Sequence, residues 1–99
     1  MYTIIDRRTV NLERLPETNE RAERDYFPEL QAAPGFVGFY LVPDESGDIF
    51  TGITVWERKV HADAFQATMA GWLDALEELG HRGESENRGE AVVELQPPR

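Results

Sequence analysis

Phe36 to Val42 reads FVGFYLV and is apolar at almost every position. So short an apolar run, preceded by Pro34-Gly35 and followed by the turn-rich PDESGD of Pro43 to Asp48, predicts a strand covered on both faces. Such a strand demands helices on one side of its sheet and something else on the other. After the turn, Ile49, Thr51, Ile53 and Val55 alternate with Phe50, Gly52, Thr54 and Trp56, as in a second strand. The two strands read as a hairpin.

The flanking segments supply the rest. From Tyr2 to Val10, β-branched Thr3, Ile4, Ile5, Thr9 and Val10 are threaded through Asp6, Arg7 and Arg8, which predicts a first strand. Leu15, Ala22, Tyr26 and Leu30 then recur on one helical face between Leu15 and Gln31. Pro16 suits the first turn of that helix. Pro28 does not suit its interior, because its ring collides with the carbonyl of Arg24 and it has no amide hydrogen, so a kink or restart is expected at Tyr26 to Pro28. Phe65, Met69, Trp72, Leu76 and Leu79 mark a second helix over Val60 to Leu79, with Gly80 as its stop. Gly71 costs that helix about 1 kcal/mol relative to alanine, so it is expected to mark close approach of a backbone or ligand. His81 to Glu90 reads as a polar loop, and AVVEL, Ala91 to Leu95, as a short fourth strand.

The order is β, α, β, β, α, β, the split βαβ pattern of a ferredoxin-like α+β fold, with a four-stranded antiparallel sheet and both helices on one face. A chain of 99 residues makes one domain, residues 1–99. The apolar strand leaves the other sheet face too hydrophobic for a monomer, and a two-fold homodimer is the simplest remedy.

Composition narrows the function classes. Ten basic against nineteen acidic side chains give a net charge of -9, which repels nucleic acid and anionic lipid. With no cysteine there is neither a disulfide nor a thiolate nucleophile, which fits a reducing cytoplasm. The N-terminal MYTIIDRR is too short and polar for a signal peptide, and no run approaches a membrane span, so a soluble, cytoplasmic protein is expected. No serine-hydrolase elbow, phosphate loop or dinucleotide fingerprint is present, and no cofactor is expected. His61 and Asp63 point in different directions on a helix and lack a third ligand, so no metal is expected either.

Several side chains carry chemistry. Trp56 suits the core, an interface or the wall of a cleft. His61 opens the second helix, where the helix dipole disfavours its protonation and leaves it a conceivable general base. Tyr40 needs a partner for its hydroxyl, in a cleft or in a dimer seam. Asp6 and Arg8 share one strand face, as an ion pair or as a polar handle for a ligand. Phe65, Met69 and Trp72 form an aromatic stripe that would floor a cleft. Glu84, Glu86 and Glu90 read as a solvated charge run.

Glu29 to Trp72 resembles the dimeric α+β barrel superfamily and, within it, the antibiotic biosynthesis monooxygenase-like domains. The resemblance rests on PGFVGFYL at Pro34 to Leu41, the acidic hairpin, VWE at Val55 to Glu57 and ADAFQATMAGW at Ala62 to Trp72. It implies a homodimer with a cleft between sheet and helices in each subunit. It also implies a small aromatic or hydrophobic ligand, lined by Tyr40, Trp56, Phe65, Met69 and Trp72. Relatives in the superfamily include cofactor-independent oxygenases of polycyclic phenols, haem-degrading enzymes, isomerases, peroxidases and ligand-sensing domains, so both an enzyme and a noncatalytic binding or stress-response module are expected readings. Some oxygenases of the family use an asparagine on the first strand and a tryptophan on the third. The matching residues here are Asn11 and Trp56, with His61 as a further candidate for proton transfer.

Overall fold

The computed structural model describes residues 1–98. Strand β1, Tyr2–Thr9, is followed by a single 3-10 turn at Leu12–Arg14, then helix α1, Leu15–Arg21, a π-helical segment, Ala22–Tyr26, and helix α2, Phe27–Ala32. Strands β2, Phe36–Pro43, and β3, Ile49–Trp56, form the expected hairpin. Helices α3, Lys59–Thr68, and α4, Ala70–Glu78, lead to strand β4, Arg82–Glu90. The sheet order is β2-β3-β1-β4, antiparallel throughout.

Alternation on the sheet decides where everything else lies. Tyr2, Ile4, Asp6 and Arg8 share the face that opposes the helices, and their register partners Trp56, Thr54, Gly52 and Phe50 continue it on β3. Tyr2, Ile4, Leu30, Trp56 and Ala62 are the buried core of this layer. Ile5, Ile53, Val55, Tyr40 and Val42 take the opposite face, which no described element covers.

Pro28 restarts the first helical layer as expected. The Phe27 amide reaches back five residues to the Ala22 carbonyl, so the helix widens by one residue and Pro28 falls in the first turn of α2, where a missing amide costs nothing. The second layer departs from the continuous helix expected over Val60 to Leu79. The Thr68 hydroxyl donates to the Phe65 carbonyl at 2.7 Å, the Met69 amide to the Gln66 carbonyl at 3.1 Å, and the helix breaks at Met69. Gly71, just past the break, is exposed, and a Cβ there would meet no atom of the described residues within 4 Å. It marks no close approach.

The fourth strand also lies elsewhere. Arg82–Glu90, expected as a loop, pairs with β1 along its length, whereas Ala91 to Leu95 follows the sheet as irregular chain, with Val92 94% exposed. The apolar residues of AVVEL suggested a strand. The sheet edge is instead built from alternating charges: Glu84 accepts from Thr9 at 2.7 Å, and Arg88 bonds Glu86 at 3.1 Å and also reaches Gln66. An edge strand needs one partner and no apolar face, and charge on it discourages pairing with further chains.

Gly71→Ala should stabilise the protein by about 0.5–1 kcal/mol, because alanine fits the helical backbone and nothing obstructs its methyl group. Thermal or urea denaturation checks this, and a loss of stability would mean that Gly71 serves a contact.

Candidate functional site

Between the sheet and the helices lies an open-mouthed cavity of about 200 Å³. Tyr26, Phe27, Phe39, Phe50, Phe65 and Trp72 contribute rings to its wall, between aliphatic and a few polar side chains. Tyr26 stacks on Trp72 with centroids 5.2 Å apart and planes 10° from parallel, which joins the π segment to α4. Phe39 meets the edge of Tyr26 at 6.1 Å, and Phe65 tilts against both Tyr26 and Trp56. The π segment sets Tyr26 in this cluster one residue ahead of the restart forced by Pro28.

Trp56 forms the closed end. It is 1% exposed, packs edge-on against Phe36, and its indole Nε1 is buried with no hydrogen-bond partner among the described residues. Phe65, Met69 and Trp72 border the same cavity, as the helical stripe implied.

Three other residues singled out in the sequence lie apart from this cavity. Tyr40 belongs to the uncovered sheet face and is 59% exposed. His61 packs its ring over Gly35, whose positive φ of 76° and missing Cβ make the room, and borders a separate hollow with Glu29, Ala33 and Thr68. Asn11 caps the 3-10 turn, its side chain accepting from the Glu13 amide at 3.2 Å, because the first strand stops at Thr9.

The cavity's polar groups come from β1, β3 and the helix ends. Asp6 and Arg8 project into it from β1, with Arg8 Nε 3.6 Å from Asp6 Oδ2. Burial raises the Asp6 carboxyl above the ordinary aspartate value; Arg8 opposes the shift and Glu86 adds to it. Burial, reinforced by the charge of Asp6, pushes the Tyr26 hydroxyl up to about 12, so it keeps its proton at neutral pH.

His81, like Tyr26, Phe39 and Phe50, is a cavity residue that sequence reasoning did not assign to a site; it seemed to begin a loop. Gly80, at φ 86°, ends α4 in a Schellman turn in which the His81 amide reaches the Leu76 carbonyl at 2.9 Å. That turn drops the imidazole into a site 2% exposed. The Asn11 amide donates to Nδ1 at 3.1 Å, so the ring proton sits on Nε2 and faces Thr18 Oγ1 at 2.6 Å; the Thr18 hydroxyl in turn donates to the Arg14 carbonyl. Both ring nitrogens are engaged, so His81 joins the end of α4 to the start of α1 and is a poor general base.

Burial lowers the His81 pKa, with help from Arg8 and Arg14. A depressed folded-state value means that the unfolded chain binds the proton more readily. The His81 contribution is therefore complete above the unperturbed histidine value of about 6.5 and is lost as pH falls from there through the folded value. Melting temperature should drop between neutral pH and mild acid. His81→Ala should lower stability by about 2–3 kcal/mol and flatten that dependence; an unchanged slope would contradict the assignment.

In sequence alone the chain matches no protein-family model and no curated protein. Its fold does match solved structures. A candidate antibiotic biosynthesis monooxygenase from Deinococcus radiodurans is 13% identical, with all of both chains covered and a TM-score of 0.77. SnoaB, a cofactor-independent oxygenase from Streptomyces nogalater, is 19% identical over 97% of each chain, with a TM-score of 0.70. A variant of MhuD with two manganese protoporphyrin IX bound per active site is 21% identical, covering 98% of this chain and 100% of that one, with a TM-score of 0.69. The chain has the ferredoxin-like α+β fold of antibiotic biosynthesis monooxygenase-like proteins.

Proposed function

We propose that this protein binds a small, flat aromatic or hydrophobic molecule in the sheet–helix cavity and oxidises it as a cofactor-independent monooxygenase. The observation that carries the reading is the ring-lined cavity, whose stacked and tilted aromatic side chains suit a planar guest. In this chemistry the bound molecule supplies the electrons. With a hydroquinone, dioxygen places one oxygen atom on a ring carbon and the other leaves as water, the substrate losing two hydrogens overall as it becomes the hydroxyquinone. Trp56 at the closed end positions the ring, and the neighbouring fold of SnoaB supports the assignment.

A second reading is a binding module without catalysis. It is favoured by His81, whose two nitrogens are already engaged, and by the distance of His61 from the cavity in the fold. Oxygen uptake with a panel of hydroquinones separates the two. Trp56→Phe should cut uptake about tenfold, a loss of about 1.4 kcal/mol of transition-state positioning. Binding without uptake by the wild type would leave the module reading standing alone.

The homodimer belongs to this proposal as well. Ile5, Ile53, Val55 and Val42 form an apolar sheet face, and a second copy placed across it would complete a barrel. Light scattering should give twice the chain mass for the wild type and the single mass for Ile53→Glu. A monomeric wild type at micromolar concentration would exclude the barrel.

A further inference from the structure

Asp6 stands out in the cavity because of what precedes it on its own strand face. Tyr2 and Ile4 are buried at 4% and 6%, and the next position on that face holds a carboxylate. Its place is prepared from β3. The register partner of Asp6 is Gly52, and a Cβ there would lie 2.6 Å from Asp6 Oδ1. The missing side chain is the space in which the carboxylate sits.

The carboxylate is also accessible and has acceptor capacity to spare. Its side chain is 41% exposed, and Arg8 Nε, at 3.6 Å, balances its charge from beyond close hydrogen-bonding distance. We infer that Asp6 is the specificity-determining acceptor of the cavity, and that the ligand presents a neutral hydrogen-bond donor, a ring hydroxyl, at that end. The inference rests on the reading of the cavity as an aromatic-ligand site. Charge selects the class of head group. A cationic head would meet Arg8, an anionic head would meet Asp6, and a neutral donor offends neither while giving the carboxylate a further hydrogen bond.

The register also sizes the guest. Tyr2 pairs with Trp56 and Asp6 with Gly52, so the acceptor and the closed end are four residues apart, about 14 Å along the strands. A hydroxylated body of roughly two or three fused rings is shorter than that span and fits within it, in a pocket of the usual apolar kind.

Equilibrium dialysis at neutral pH with 2-naphthol, naphthalene and 2-naphthoate tests this on the wild type, Asp6→Leu and Gly52→Ala. The wild type should hold 2-naphthol about tenfold more tightly than naphthalene, as one hydrogen bond to a charged acceptor provides, and should hold 2-naphthoate least. Asp6→Leu should bind naphthalene undiminished and lose the preference. Gly52→Ala, checked for folding by circular dichroism, should lose most of it with the charge retained. Equal binding of 2-naphthol and naphthalene by the wild type would overturn the role of Asp6 and leave the aromatic cavity standing. Preference for 2-naphthoate would make Arg8 the anchor instead, and a preference that survives Asp6→Leu or a folded Gly52→Ala would also overturn the assignment. Binding of none of the three would remove the cavity reading and the inference with it.

Discussion

The helical layers meet the sheet through aromatic rings, and the shape of the interior follows from that. Tyr26 stacked on Trp72, with Phe39 and Phe65 against them, holds the π segment and α4 in one cluster. Rings are rigid and have few rotamers, so they cannot spread to fill every gap as leucine or methionine would. Beneath them the sheet offers Asp6, Gly52 and Thr54 in place of large apolar groups. A stiff roof over a sheet floor that sets a short carboxylate and a glycine among apolar residues leaves a cavity. The buried Trp56, Leu30 and Ala62 at one end supply the compact core that the rest of the layer gives up.

Two irregularities of the backbone position this roof. Pro28 forces the wider turn that ends at Tyr26, and the break at Met69 divides the second helical layer into α3, which carries Phe65, and α4, which carries Trp72. The Schellman turn at Gly80 then returns the chain so that His81 can tie α4 to Asn11 and Thr18. The first layer is thereby fastened to the second at the end remote from Trp56. Protonation of that imidazole would strain the fastening, so the fold is expected to weaken in mild acid.

The first three strands, their hairpin and both helical layers were legible because their apolar residues repeat with the period of each element. Pro28 and Gly80 announced their breaks through their own stereochemistry. The fourth strand was not legible, since an edge strand fixed by backbone pairing and salt bridges has no apolar pattern, whereas AVVEL has one and yet, among the described residues, no partner strand. Of the site, Trp56, Phe65, Met69 and Trp72 were readable from spacing, and strand alternation alone placed Asp6 and Arg8 on one face. Tyr40 could not be assigned to a face before the register was known, because the shift between Phe36 and Gly38 changes which residues of β2 look toward the helices. His81 carried no signal at all; its burial depends on a turn and on partners 63 and 70 residues away.

The central claim is that a flat aromatic guest enters between the rings and the sheet. Amide and indole NMR shifts of the wild-type protein, followed during titration with 2-naphthol, test it most directly. Saturable shifts should concentrate at the Trp72 indole, at Tyr26 and Phe39, and at Asp6 and Gly52, with Tyr40, Val42 and His61 unmoved. Shifts confined to the uncovered sheet face, or to the hollow beside His61, would contradict it.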